Sequence, residues 1–188
     1  MAFITAAQVA NYSGLDAASI TTQQIDTAEA LVAAYLGADT LELTAQEDTI
    51  YKGSSGMRLT LDHGPVASID EVTSVVMGSS TLTMSTLYMK GYWMLFYPTG
   101  TFTTGLKIVV TFNSGWDSDD SDALPTNISK ALLITCAALS QNPTAQFKSE
   151  KIGDYSYTMA DGESVDTSGV PDSAQILIAQ YARPDYLY

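Results

Sequence analysis

Three places in this chain carry residue types that could do chemistry. Asp62-His63, just ahead of Gly64-Pro65, sets a carboxylate beside the only imidazole in 188 residues. A carboxylate and an imidazole suit general acid–base work. A Ser-His-Asp hydrolase would hold its nucleophile in a G-x-S-x-G elbow, and the sequence contains none. His63 is therefore expected to be a surface residue at a turn. Asp117, Asp119, Asp120 and Asp122 form an acidic cluster that invites calcium. An EF-hand loop needs Gly at its sixth position and Glu at its twelfth. Counted from Asp117, those positions hold Asp122 and Ile128, so the pattern fails. A solvated acidic loop fits better, its carboxylates favouring the positive N-terminal end of the next helix. Cys136 lies on an apolar stripe. A reactive thiolate needs an electropositive, partly exposed setting, so Cys136 reads as a small buried hydrophobe.

Other sites fail on similar grounds. Gly53-Ser54-Ser55-Gly56 has no Lys-Ser/Thr behind it, and Gly153 and Gly162 stand alone, so there is no phosphate loop. No particular pair of carboxylates points to glycoside hydrolysis. No catalytic, cofactor-binding or metal-ligating residue is expected, and no enzyme activity.

Composition narrows the class. A hydrophobic fraction of 46% with 15% charged residues can bury a core and is too apolar for a disordered chain. No apolar run reaches the ~18 residues of a membrane span, so no membrane contact is expected. Met1–Gly14 has no basic region ahead of an apolar core, which predicts synthesis in the cytoplasm without a secretory signal. One cysteine excludes an internal disulfide framework. The net charge is −13, and the eight basic residues are scattered singly apart from Lys148 and Lys151. Gripping a phosphate backbone takes clustered cations, so DNA binding is disfavoured. A like-charged surface can still let DNA pass without sticking.

The elements that would position any site follow from periodicity. Thr5 and Gln8 form a capping box for a helix from Ala6 to about Tyr12, ending near Gly14. Thr21 and Gln24 cap a second, with Ile25, Ala28, Val32, Tyr35 and Leu36 on one stripe and Gly37 as its stop. From about Leu41 the pattern becomes β. Strands are expected near 47–52, 57–61, 69–77, 81–83, 88–90, 93–96 and 107–112, in an antiparallel sheet or small barrel. Tyr88, Tyr92, Trp93, Phe96, Tyr97 and Phe102 are expected to pack one face of it. A stacking platform for sugars or bases is the sharper alternative, but no basic neighbours support it. Pro125 opens a helix with Ile128, Ala131, Leu132, Thr135, Cys136 and Leu139 on one stripe, stopped before Pro143. The polar segment 146–166 contains one strand-like stretch, Ile152–Thr158. A last helix runs from Pro171 to about Ala182, with Ile176, Leu177, Ala179 and Tyr181 partly buried. The fold class is α+β: a small helical bundle from residues 1–45 and 116–188, with an antiparallel β domain, 46–115, inserted.

In order along the chain, several motifs resemble the connector (adaptor, head-completion) proteins at the head–tail junction of tailed bacteriophages. They are Ala28–Gly37, Tyr51-Lys52-Gly53, Leu59-Thr60-Leu61, Gly64–Ile69, Val110–Trp116, Leu124-Pro125, Glu150–Ser156 and Tyr181-Ala182-Arg183-Pro184. The resemblance implies a non-enzymatic virion protein. It would form a homo-oligomeric ring, commonly of twelve copies, under the portal protein. That ring would extend the DNA channel and dock a tail-side stopper or tail terminator protein. Twelve copies at −13 each would carry about −156, which suits a lumen that DNA slides through without specific binding. Residues expected to reach partners are Lys148, Lys151, Asp154, Tyr155, Tyr157, Arg183, Tyr186, Leu187 and Tyr188. The acidic loop of Asp117, Asp119, Asp120 and Asp122 would face the channel. The rival functions are a tail-completion or stopper protein of the same region and, further off, a β-rich carbohydrate-binding module.

Overall fold

A computed structural model describes residues 2–118, 124–141, 149–152, 155–158 and 169–184. In chain order the elements are α1 (Ala6–Ser13), α2 (Thr22–Leu36), β1 (Thr44–Tyr51), β2 (Arg58–Thr60), β3 (Val72–Met77), β4 (Ser80–Thr81) and β5 (Tyr88–Met89). There follow β6 (Met94–Phe96), β7 (Lys107–Ser114), α3 (Thr126–Gln141), β8 (Ser149–Ile152), β9 (Tyr155–Thr158) and α4 (Asp172–Ile178). The architecture is α+β, with helices flanking a β region in the sequence. The chain packs as two compact units, Met1–Tyr35 with Asp119–Ala179, and Leu36–Ser118 with Gln180–Tyr188.

In the helical unit the caps are those the sequence specifies. Thr5 Oγ1 accepts from the Gln8 amide while Gln8 Oε1 accepts from the Thr5 amide, and Gly14 ends α1 in the left-handed region at φ 73°. Thr21 and Gln24 repeat the box ahead of α2. Each reciprocal pair satisfies two backbone donors that the first turn leaves orphaned. α3 buries Ile128, Ala131, Leu132, Thr135, Cys136 and Ala137 and packs against α1 and α4. Leu139, placed on the same stripe by periodicity, is only half-buried.

Two expectations need correction in this unit. Ile152–Thr158 is not one strand: β8 and β9 pair antiparallel, Ser149 opposite Thr158 and Ile152 opposite Tyr155. Ile176 is 79% exposed rather than partly buried. α4 runs only to Ile178 and tightens into a 3-10 turn over Ala179–Tyr181, so its buried positions are Ala174 and Ile178.

The β unit holds a four-stranded sheet, order β1-β7-β3-β4, and a three-stranded sheet, order β2-β6-β5. β7 is the organising strand. Ile108, Val110, Phe112 and Ser114 alternate inward along it, as a half-buried strand requires. It pairs along its whole length with β1, Tyr51 opposite Lys107 to Thr44 opposite Ser114. Both sheets line one apolar core that includes Leu59, Leu61, Leu95, Phe102, Val75, Ile108, Val110 and Phe112.

The segment expected as one strand from Ile69 begins instead as a 3-10 turn, Ile69–Glu71. The Ser68 hydroxyl accepts from the Asp70 amide and holds this turn. The strand expected at 81–83 ends at Thr81, and Met84–Thr86 forms another 3-10 turn. The six aromatics do not share a face. Trp93 and Phe102 are buried while Tyr88 is 45% exposed. They form separate pairs: Tyr88 with Phe96, Tyr97 with Phe102, and Tyr92 with Tyr181. The strands here are two or three residues long and turn often, so neighbouring aromatics point to different surfaces.

Candidate partner-binding surface

Of the residues expected to reach partners, Lys148, Asp154, Tyr186, Leu187 and Tyr188 lie outside the described residues, as do Asp119, Asp120 and Asp122. Lys151, Tyr155 and Tyr157 fall on the β8–β9 hairpin, Lys151 opposite Ser156 and Glu150 opposite Tyr157. Asp117 is exposed at the end of the β unit's first segment.

Arg183 is engaged within its own unit. From Gln180 the chain packs in the β unit, although the sequence groups it with the helical ends. The Arg183 amide donates to the Leu36 carbonyl at 2.9 Å. Its guanidinium donates to the Asp62 carbonyl and carboxylate, both at 3.2 Å, and lies 5.9 Å from the Trp93 ring centre. The Trp93 indole N–H donates to the Tyr181 carbonyl at 2.7 Å, a buried contact across 88 positions. Tyr181 also meets Tyr92 at 4.6 Å and Trp116 edge-on at 6.4 Å. Burial and the Tyr181 phenol beside it push the Tyr92 phenol above its ordinary value.

Sequence reasoning missed Asp48, the most buried charge among the described residues. Asp48 sits on the inward face of β1 with its side chain fully buried. Its carboxylate accepts from the Asp62 amide at 2.5 Å and the His63 amide at 3.3 Å, and contacts His63 Nδ1 at 2.5 Å. His63 Nε2 lies 3.9 Å from the exposed Asp39 carboxylate. The signal was available: Asp48 stands between Gln46 and Ile50 on the inward alternation, and a carboxylate there must find donors. The arrangement staples the 61–65 loop to β1. The acid–base reading of Asp62-His63 therefore gains a carboxylate partner for the imidazole, but the wrong one: Asp62 binds Arg183, and Asp48 binds His63. Among the described residues no group of three or more His, Cys, Asp or Glu is placed to hold a metal ion. None of the described helices is long and apolar enough to cross a membrane.

Three basic residues, well separated in the sequence, come together in the β unit. On β6, Phe96 pairs with Arg58 of β2 on one side and Tyr88 of β5 on the other, so the three form a row across one face. Leu59 and Leu95 turn the opposite way into the core, which leaves the row outward. Lys90 Nζ stands 6.0 Å from the Phe96 ring centre, and the Lys52 ammonium donates to the Arg58 carbonyl. A groove of about 520 Å³ runs beside the row, lined by Lys52, Ser54, Ser55, Gly56, Met57, Arg58 and Phe96. Among the described residues Lys52, Arg58 and Lys90 form no ion pair. Phe96 therefore does have basic neighbours, contrary to the expectation from sequence spacing. Short strands bring residues 52, 58, 90 and 96 together.

No family model matches this sequence, and no curated protein matches it either. Solved structures do. A chain in the neck of an empty gene transfer agent particle, computed with C6 symmetry, superposes with a TM-score of 0.51 at 14% identity, covering 95% of this chain and 88% of that one. A chain in the neck of the native particle, computed with C12 symmetry, gives 0.50 at 14% identity, covering 94% and 86%. The protein thus has the fold of chains found in the neck of gene transfer agent particles.

Proposed function

We propose that this protein is a structural subunit of the neck, the head–tail junction, of a tailed phage or phage-like particle. It forms a ring there, takes no part in catalysis, and resides in the virion. One observation carries the reading: the fold correspondence runs along 95% of this chain and 88% of a neck protein, through both units, rather than over one common motif. The sixfold and twelvefold symmetry of those necks supports a ring of about a dozen copies. The connector-like motifs along the sequence support the same place. In this role the ring sits under the portal protein, receives a stopper or tail terminator on its other side, and lets DNA through without specific binding. The chain's charge of −13 supports the last point, because a polyanion does not adhere to a like-charged wall. The terminal residues Tyr186, Leu187 and Tyr188 and the hairpin around Lys151 are assigned to contacts with neighbours.

The test is purification of particles from the producing host, mass spectrometry of their proteins, and imaging of the neck. The expected result is this chain in mature particles, as a symmetric ring between head and tail. Its absence from mature particles would overturn the assignment.

A further inference from the structure

Charge is unevenly distributed along this chain. From Val72 to Trp116 there is no acidic residue, and Lys90 and Lys107 are the only charges. From Thr49 to Leu61 the only charges are Lys52 and Arg58. Half of the eight basic residues thus belong to acid-free stretches of the β unit. Three of them, Lys52, Arg58 and Lys90, gather beside Phe96 and form no ion pair among the described residues. The Arg183 guanidinium, by contrast, is met by the Asp62 carboxylate. The rings in this row are open as well. Tyr88 is 45% exposed, and its ring centre lies 4.9 Å from that of the half-buried Phe96.

We propose that the Arg58–Phe96–Tyr88 row and the groove beside it bind single-stranded nucleic acid without sequence preference. This goes beyond the neck reading and stands on the folded subunit alone, with or without a ring. A single strand offers two chemistries in alternation, a phosphate and the flat face of a base, and proteins hold it with cations and aromatic rings together. Both are present here within a short distance. Adjacent strands lie about 5 Å apart, so Arg58, Phe96 and Tyr88 span roughly 10 Å across β2, β6 and β5. That is about the length of three nucleotides along a strand. Lys52 and Lys90 add charge beside the rings, and Ser54 and Ser55 line the groove with hydroxyls. A duplex fits less well, because its base faces are stacked inside. An acidic polypeptide would satisfy the cations but leave the rings without a flat partner. The net charge of −13 opposes any polyanion at long range, yet at physiological salt that repulsion is largely screened beyond about 8 Å. Binding is therefore short-range, weak and salt-dependent. Stacking and phosphate contacts read no base edges, so the site is compatible with DNA passing through without specific binding.

The experiment is fluorescence anisotropy of a labelled oligothymidylate of about twelve bases, titrated with the full-length chain up to about 1 mM. At about 50 mM salt the strand should bind, and a duplex of the same length should bind at least about tenfold more weakly. Raising the salt to about 200 mM should weaken binding roughly twentyfold, the fall expected when three phosphates of a single strand are neutralised. Lys52 is kept in the variants, because its ammonium also donates to the Arg58 carbonyl. Arg58→Gln with Lys90→Gln should bind at least about tenfold more weakly than the natural chain. Lys130→Glu changes the net charge by the same amount on the exposed side of α3, and should alter binding by less than about twofold. Tyr88→Ala should cost at least about fivefold with the salt slope unchanged, and Tyr88→Phe should retain the natural affinity. Tryptophan fluorescence identical to the natural chain shows that the β unit of each variant still folds. A natural chain that binds no strand at about 1 mM would overturn the proposal. Equal affinity for the duplex would overturn it too, by assigning the row to phosphates alone. An oligoglutamate peptide that displaces the strand at equal concentration would assign the row to an acidic polypeptide instead. Equal losses in Lys130→Glu and in the row variant would reduce the effect to net charge and refute a site.

Discussion

Replacing Asp48 by alanine removes one buried carboxylate and three contacts at once. The side chain is fully buried, and its oxygens hold two amides and an imidazole of the 61–65 loop. A hydrogen bond to a charged group contributes about 1.5–3 kcal/mol, and breaking a buried pair by removing one partner costs about 3–5 kcal/mol. Here the 3.3 Å amide contact is weak, and His63 is 42% exposed, so solvent screens its share. Asp48→Ala should therefore cost about 3 kcal/mol, at the low end of that range. His63→Ala should cost only about 1 kcal/mol, because the carboxylate keeps both amides. The assay is urea unfolding followed by tryptophan fluorescence. Both tryptophans, Trp93 and Trp116, are buried in the β unit, so the signal reports that unit. Trp93 also packs against the loop itself: a Cβ built on Gly64 would lie 2.8 Å from its ring. With a urea slope of about 1–3 kcal/mol/M, the midpoint for Asp48→Ala should fall by about 1–3 M. A shift under about 0.3 M, or a larger loss for His63→Ala than for Asp48→Ala, would refute the idea that this carboxylate anchors the loop.

Four further outcomes are expected. Thr135 Oγ1 is buried in α3 without a hydrogen-bond partner among the described residues, so Thr135→Val should stabilise the helical unit by about 1 kcal/mol, raising its thermal midpoint in circular dichroism. Burial pushes the Cys136 thiol above its ordinary value; a hydrogen bond with Ser140 opposes this in part and the Glu29 charge adds to it. Iodoacetamide at pH 8 should therefore modify the native chain about a hundredfold more slowly than the urea-unfolded one, measured by intact mass. The raised Tyr92 value means the folded state binds that phenolic proton more tightly than the unfolded state does. Its contribution is complete below the unfolded value near 10 and is lost as pH rises through the folded one. The urea midpoint should then fall above about pH 10, and Tyr92→Phe should flatten that fall. Deleting Asp185–Tyr188 should leave the fluorescence midpoint unchanged while lowering incorporation into particles, counted by mass spectrometry.

Local signals made much of the fold legible. The two Thr–Gln capping boxes, the Gly14 stop and the α3 stripe need only contacts within a few residues, and these are written directly in the sequence. The long strands β1 and β7 were legible in part: the expected 47–52 and 107–112 overlap the observed 44–51 and 107–114, but the polar start of β1 carries no apolar alternation to mark it. Short strands were not. Two or three residues around Tyr88 and Met94 carry no period, so the face each aromatic takes is decided by pairing with distant strands. The hairpin at 149–158 was read as one strand because alternation alone does not count how many strands carry it.

The surfaces divide along the same line. The sequence by itself determined composition, charge and the lack of any complete catalytic or ligand motif, because these depend on which residues are present and on their short spacings. It also placed Arg183 and Asp62 among notable residues without relating them, since 121 positions separate the two. Only the tertiary structure decided that Arg183 closes on Asp62 and Trp93, that Asp48 holds His63, and that Lys52, Arg58 and Lys90 surround Phe96. Each of those is an electrostatic contact between segments far apart in the chain. Coulombic and hydrogen-bond energies depend on distance in space, and folding alone sets that distance.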